Sequence, residues 1–549
     1  MTAAVSIKDV LATRSSALQG LGEIDRVRAS LSDASKVRAA MQRANVNFRD
    51  ARRRAETPLL RLAGQVPLLG RQIAAVRALA SSGEEATAQA LSVYDEVVRP
   101  QPGEAAGGRV RKINGLRVKI DAAVEQLKGL SGGPSGLLLP PIAEAQDKFA
   151  TARSDAVDSL SRTSVVLKGF EQLLEGPSRY LVLVTNNSAM RVGMGTALFI
   201  GDLEVREGEV HLTDLIKPNG TEPPAAFVDA DLERNWGPLL ANRDVRQTGI
   251  TPRFDVGGAQ AVEIWQGLSG QTYDGALAFD VEFIHTLLKS TGPMTVRDRT
   301  LDANNIVRFL TYDQYFGTDR QAFNAELGSA VFDKISTGLS SNDLGFAKSM
   351  ADAVAARHLL LWSKHDEQQR AWTEAGAAGV LTPDSLMFGM VNRYDKLDPY
   401  IQVSAITRVE HRYRDRLDLV MTIRVKNTAT GREPDEIAVP INKILGRSPA
   451  EYRPIVSISL PGAAKLIRVE GRSTYAALGP DGPTQVVAFT DFVQPMETNS
   501  YVLRFSLPGD AQTLRIEPSA RMPAVKWTFE GRRLDDSKPH VLALQPEAD

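Results

Sequence analysis

Residues 179–215 read RYLVLVTNNSAMRVGMGTALFIGDLEVREGEVHLTDL. An apolar, β-prone run from Tyr180 to Val184 stops at Asn186 and Asn187. A single cation, Arg191, follows, and Gly193 and Gly195 lead into a second apolar run from Ala197 to Ile200. The pattern predicts a strand, a polar turn and a second strand. Backbone N–H groups and a guanidinium gathered at a strand end suit an anion. The plainer reading is a β-hairpin whose Arg191 pairs with a carboxylate at the edge of the core, and ion pairs of that kind are the commoner use of an arginine.

Working toward the N-terminus, residues 5–56 predict a long helix with Ile24, Val27, Leu31, Ala34, Met41 and Phe48 on one stripe. Pro58, Pro67 and Gly70 interrupt it. Apolar periodicity resumes over 73–98, and after the loop RPQPGEAAGG two further helices are expected, roughly 110–130 and 142–174, separated by SGGPSGLLLPP. Residues 1–176 therefore read as an α-helical bundle or set of hairpins, a spacer, because no cluster of inward carboxylates or histidines marks it as a metal bundle.

Toward the C-terminus, β-rich runs alternate with helical stretches, which predicts a central α/β domain over 177–392. The segment 217–255 is expected to be loop-rich and carries Arg243, Asp244, Arg246 and Arg253 close to Trp236 and Phe254. A helix over 258–267, a strand ending at Asp280, a short helix and a Gly292–Pro293 turn come next. Asp319, Arg320 and Gln321 stand at a helix start, where N–H groups and a guanidinium can hold an anion together, although an Asp there is more often a simple N-cap. Helices are expected to continue to about Ala377, with Met350, Val354, Leu359 and Trp362 as a core stripe. From Lys396 the period becomes two, through Val403, Ala405, Leu417, Leu419, Met421, Ile423 and Val425. Further strands are expected at 455–460, 484–490, 501–507 and 525–530, so residues 393–549 read as an antiparallel β-sandwich. The fold class is thus multidomain α+β.

Composition narrows the function. Lys plus Arg (65) nearly cancels Asp plus Glu (66), so charge gives no reason to expect nucleic acid as partner. With no cysteine in 549 residues, disulfides, thiolate zinc sites and cysteine nucleophiles are excluded. The six histidines form no HExxH or other ligand-spaced set, and there is no G-x-S-x-G elbow, P-loop or strand-linked G-x-G-x-x-G. No run of eighteen apolar residues occurs, and MTAAVSIKDV lacks a signal-peptide pattern. A cytosolic protein and one whose anchor lies upstream of Met1 both fit.

Four stretches in order, NNSAMRVGMGTALFIGDLEV, NWGPLLANRDVRQTGITPRF, TYDGALAFDVEFIHTLLKSTGPMTV and NRYDKLDPYI, resemble the bacterial family named domain of unknown function 4012. That family is common in actinobacteria and associated with exopolysaccharide production. The resemblance implies an extracytoplasmic body, a helical spacer and a membrane anchor, here upstream of the chain. Ala189 stands where the family often has a glutamate. A weaker similarity, in DGALAFDVEFIHTLLKSTGPMTV and TDRQAFNAEL, is to the LytR-CpsA-Psr phosphotransferases, with Pro293 replacing a turn glycine. It implies a LytR-CpsA-Psr-like central domain that moves glycan from a polyprenyl-pyrophosphate carrier to a cell-wall acceptor. Asp244, Asp319 and Arg320 would then be catalytic, and Arg191, Arg243, Arg246, Arg253 and Gln321 would bind the substrate. Asp244 and Asp319 would hold a divalent ion such as Mg2+, and an apolar tunnel beside 180–184 and 276–279 would take the lipid. The alternative is a non-catalytic scaffold or adaptor that works with other envelope proteins.

Overall fold

A computed structural model describes residues 15, 19–20, 22–23, 34–63, 65–97, 107–213, 215–218, 225–317, 319–340, 344–392, 394–438, 446–471 and 474–545. The chain forms two compact units, Met1–Glu171 with Gly338–Lys348, and Gln172–Thr337 with Ser349–Asp549.

The first unit is helical. It contains α1 (Ala34–Ala55), α2 (Pro58–Ala63), α3 (Pro67–Val97), α4 (Gly107–Gly129) and most of α5 (Pro140–Glu175). Ile24, Val27 and Leu31 of the expected stripe lie outside the described residues, as does the side chain of Ala34. Phe48 does what its spacing implied: with Ala44 and Ala51 it packs against Leu79, Ala80, Leu130 and Phe149. Pro58, Pro67 and Pro140 do not merely break helices; each opens one, where the missing N–H costs nothing.

In the second unit, β1 (Ser178–Met190) and β2 (Gly195–Arg206) are the expected hairpin, and β3 (Glu209–Leu212) extends it. Gly195 is required by space. A Cβ there would lie 2.4 Å from the backbone carbonyl of Asn186, which has no room to retreat inside the paired strands. The segment expected to be loop-rich is partly helical, with α6 (Ala230–Trp236), two 3-10 turns, and α7 (Phe254–Ser269), longer than its periodicity suggested. The fully buried β4 (Gly275–Phe279) pairs parallel to β1 and precedes α8 (Val281–Thr291). The hairpin of β5 (Met294–Val296) and β6 (Arg299–Leu301), then α9 (Ile306–Thr311), α10 (Arg320–Ser340) and α11 (Leu344–Ala355) follow.

One expected helix is a strand. Leu359 and Trp362 lie in β7 (Leu359–Ser363), which pairs antiparallel to β4, while Met350 and Val354 remain helical in α11. The run LLLW favours a buried pleated edge over a helical stripe once a neighbouring strand is available. The sheet order is β3-β2-β1-β4-β7. Leu181 and Leu183 face Phe254 and Ala261 of α7, whereas Val184 faces Ile284 of α8 and Leu327 of α10, so helices cover both faces.

After α12 (Asp366–Glu374) come β8 (Ser385–Val391), β9 (Ile401–Arg412), β10 (Arg416–Asn427), β11 (Ile455–Pro461), β12 (Lys465–Val469), β13 (Ala477–Asp481), β14 (Thr484–Thr490), β15 (Thr498–Pro508), β16 (Thr513–Ile516), β17 (Lys526–Phe529), β18 (Arg532–Leu534) and β19 (His540–Ala543). They make two sheets, β12-β15-β10-β9-β17-β18 and β13-β14-β11-β8-β16-β19. Side chains from both, including Phe388, Val403, Met421, Ile458, Leu503 and Trp527, share one core. The expectation of a purely antiparallel sandwich is corrected: β16 runs parallel to β8 and β17 parallel to β9, since both late strands enter beside strands formed more than a hundred residues earlier. Among the described residues no helix is long and apolar enough to cross a membrane.

Candidate functional site

The parallel strands β1 and β4 end on the same edge of the sheet, and β7, running the other way, begins there. Open α/β sheets bind ligands at the carboxyl ends of such strands. The local sequence makes this edge polar. Asn187 donates to Asp280 Oδ2 at 2.8 Å and to the Ala520 carbonyl at 2.9 Å. Asp280 caps α8 by accepting the Glu282 and Phe283 N–H groups, and also contacts Nδ1 of His358, the residue before β7, at 2.7 Å. Burial, the largest single influence, works to lower the His358 pKa, but the charge and hydrogen bond of Asp280 together with the charges of Glu282 and Asp536 outweigh it and leave the imidazole above its ordinary value.

Next to it stands a second network built from the turn NRYDKLDPYI. Asp398 accepts the Met190 N–H at 3.0 Å, Asn392 Nδ2 at 2.7 Å, Tyr452 OH at 2.9 Å and Arg521 Nη1 at 2.9 Å. Arg191, only 5 % exposed, donates to Gln247 Oε1 at 2.6 Å and to the carbonyls of Met190 and Asn392. Two carboxylates so close in sequence have different environments. Asp395 accepts Asn392 Nδ2 and the Leu397 N–H, yet burial pushes its carboxyl up to about 7.

Lys396 lies between these groups. Burial and then the positive charge of Arg191 push its ammonium down to about 8; Arg320 adds to this, while Asp395 and Asp398 oppose it. Arg320 is exposed at the start of α10, its guanidinium 5.3 Å from the centre of the Tyr315 ring. Tyr315 in turn meets Asn186 Nδ2 at 3.2 Å through its hydroxyl. Neither the Lys396 ammonium nor the Arg320 guanidinium has a hydrogen-bonded or ion-paired partner among the described residues. Of the three cations Arg320 is exposed, Lys396 half-buried and Arg191 buried, and Arg191 and Arg320 both lie near enough to Lys396 to act on its charge, which makes this edge cationic.

The other sequence candidates have different partners. Asp244 grips Arg246 with both oxygens, the Nη2 contact being 2.7 Å, and caps the following 3-10 turn. Arg253 is buried between Asp229 and Asp481, at 2.8 and 2.6 Å. Asp319 pairs with Arg297 at 2.8 Å. Arg243 is exposed on the turn before Asp244. Gln321 lies in the first turn of α10, its side chain outside the described ones. Asp244 and Asp319 share no partner, and among the described residues no group of three or more metal-ligating side chains occurs, so the residues present do not fit the divalent ion that the resemblance implied. The sequence reading brought out Arg191 and Arg320 but missed Lys396, Asp395 and Asp398, although the stretch that carries them was part of the family resemblance.

A small pocket adjoins the cationic edge. It lies between β1, β2 and β4 on one side and α8, α9 and α10 on the other, with Asn186, Gln314 and Asn324 at its polar end and about 40 Å3 of room. A polyprenyl chain needs far more, since pockets for ligands of drug size run to several hundred Å3.

Residues 175–315 match the model of a family described as protein of unknown function (DUF4012). The match supports kinship with that family and covers β1 to Tyr315 of the site. No curated protein and no solved structure matches the chain.

Proposed function

We propose that this protein is an extracytoplasmic component of envelope glycan assembly that binds the pyrophosphate of a polyprenyl-linked glycan at Arg320 and Lys396, above Arg191, and holds it without transferring it. The observation that carries this reading is that Lys396 and Arg320 have no ion-paired carboxylate among the described residues, while Arg191 and Arg320 both act on Lys396 as positive charges against the pull of Asp395 and Asp398. A phosphate oxygen would give Lys396 and Arg320 the charge-assisted hydrogen bonds that they do not make among the described residues, each contributing about 1.5–3 kcal/mol. It would also relieve their mutual repulsion.

Binding is favoured over phosphotransfer because the carboxylates that a transferase of the expected kind would use are engaged elsewhere. Asp244 is held by Arg246 and Asp319 pairs with Arg297, and the two carboxylates share no partner, so they are not gathered as a pair to hold a metal or to take a proton from an acceptor hydroxyl. The test is to incubate the protein with a polyprenyl-pyrophosphate-linked glycan and a cell-wall acceptor, then separate retained from transferred glycan. Stoichiometric retention without release of polyprenyl phosphate is expected. Repeated turnover would overturn the holding role and restore the transferase.

A further inference from the structure

The helical unit holds four large aliphatic side chains in water at one end. Two connections meet there, 56–66 between α1 and α3 and 130–139 between α4 and α5: Leu60 of the first and Leu138 of the second pack in one cluster with Ile73 and Ile142. Other side chains of the same connections stand outside it. Leu62 is 67 % exposed, Val66 53 %, Leu137 76 % and Leu139 46 %. A single exposed aliphatic residue is ordinary, whereas four on two adjoining connections mark a surface that meets something.

The second connection is fastened along its backbone. The carbonyl of Ser131 accepts Ser82 Oγ at 2.9 Å, that of Gly132 accepts Gln146 Nε2 at 2.5 Å, and that of Ser135 accepts Arg71 Nη2 at 2.5 Å. Gln72 donates to the Leu137 carbonyl at 2.7 Å and accepts the Leu139 N–H at 2.9 Å. Pinned in this way, the segment turns Leu138 inward and leaves Leu137 and Leu139 outside. Leu137 sits at φ 51°, a left-handed conformation that is unfavourable for a leucine, yet its side chain gains no burial from it. The projection of these leucines is therefore built into the fold.

The charges beside them have one sign. Residues 52–77 contain six arginines, at 52, 53, 54, 61, 71 and 77, against one acid, Glu56, and residues 130–139 carry no charge. Arg52 is committed to Glu56 and Glu84, and Arg71 and Arg77 donate to backbone carbonyls. Arg53, Arg54 and Arg61 are exposed and form no ion pair among the described residues. Arg53 and Arg54 offset the dipole at the end of α1, but that role does not account for the exposed leucines.

The side-chain types point to the partner. Neither 56–77 nor 130–139 contains an aromatic residue or a methionine, the anchors on which protein interfaces draw. A bilayer needs no such anchor: its acyl boundary accepts leucine without matching its shape, and anionic lipid phosphates accept guanidinium groups.

We propose that this end of the helical unit docks on the surface of an anionic lipid bilayer, with Leu62, Val66, Leu137 and Leu139 entering the acyl boundary and Arg53, Arg54 and Arg61 meeting the lipid phosphates. The surface shares no residue with the anion seat and requires no spanning helix.

The test is flotation of the full chain with vesicles of phosphatidylcholine and phosphatidylglycerol in equal parts, compared with vesicles of phosphatidylcholine alone. Wild type is expected to bind the mixed vesicles at least about tenfold more tightly, and to lose that binding as salt rises. Leu62→Ser with Leu137→Ser is expected to weaken binding about tenfold or more and to keep its salt dependence. Arg53→Gln, Arg54→Gln and Arg61→Gln together are expected to weaken it and to flatten the salt dependence. Leu466→Ser, at a leucine 71 % exposed in β12, is expected to bind as wild type. Thermal midpoint and pyrophosphate binding on the same samples are expected to be unchanged, so that an unfolded variant is recognised and this surface and the anion seat fail separately. Absence of flotation with the mixed vesicles, or flotation that neither set of substitutions weakens, would overturn the proposal. So would a dimer, seen by sedimentation without lipid, that Leu62→Ser with Leu137→Ser dissolves, since the surface would then belong to a second copy of the chain.

Discussion

Arg521 and Asp398 form a 2.9 Å ion pair in which both side chains are wholly buried. Asp398 simultaneously receives the Met190 N–H from the end of β1, so one carboxylate joins the α/β sheet to the loop before β17. Removing one partner strands the other charge in the interior. Arg521→Met is therefore expected to lower the free energy of unfolding by about 3–5 kcal/mol, as breaking a buried pair does, read from urea denaturation. A loss of less than about 1 kcal/mol, the scale of an exposed pair, would show that Asp398 is satisfied by its other donors.

Asp395 leads to a pH effect with a defined sign. Its carboxyl is raised from 3.8 to about 7 by burial, so the folded state resists the charged form. A raised folded pKa contributes stability that is full below the unfolded value and is lost as pH rises through the folded value. This group's share of stability should thus decline between about pH 4 and 7. Asp395→Asn, which keeps the shape and cannot ionise, should flatten that part of the stability profile. Parallel profiles for the two proteins would contradict the assignment.

Lys396 governs the other side of neutrality. With its ammonium pushed down to about 8, the group loses its charge well before an ordinary lysine does. Pyrophosphate affinity should hold up to pH 7 and weaken as pH rises past 8. A bound anion favours the charged form, so binding near pH 8 should take up protons, detectable by calorimetry in buffers of different ionisation enthalpy. No proton uptake would remove Lys396 from the seat.

Gly195 sets the shape of the turn that carries Arg191. Because a Cβ would press on the backbone of Asn186, Gly195→Ala should cost at least the ~1–3 kcal/mol typical of overpacking, and more if the strand cannot shift. Thermal denaturation measures it, and an unchanged midpoint would mean that the bulge between Asn186 and Met190 adapts freely.

Much of the fold could be read from local pattern. The apolar runs around Asn186 did form a hairpin, and the period of two after Lys396 did form strands, because alternation and turn residues act over a few positions. The parallel entries of β16 and β17 were hidden, since their partners are separated by more than a hundred residues and no local rule couples them. The same limit shaped the site. Arg253 looked like a ligand-binding arginine among its neighbours, yet its partner Asp481 lies 228 residues away. Lys396 stands in a turn flanked by aspartates and a proline, where nothing local marks it; only tertiary burial beside Arg191 makes it distinctive.

The central claim is the anion seat, and calorimetric titration with inorganic pyrophosphate tests it most directly. Wild type should bind, Lys396→Gln and Arg320→Gln should each lose about tenfold or more, consistent with loss of a charge-assisted hydrogen bond, and Arg246→Gln should bind as wild type because Arg246 is already committed to Asp244. Unchanged affinity in Lys396→Gln and Arg320→Gln, or a loss confined to Arg246→Gln, would contradict it.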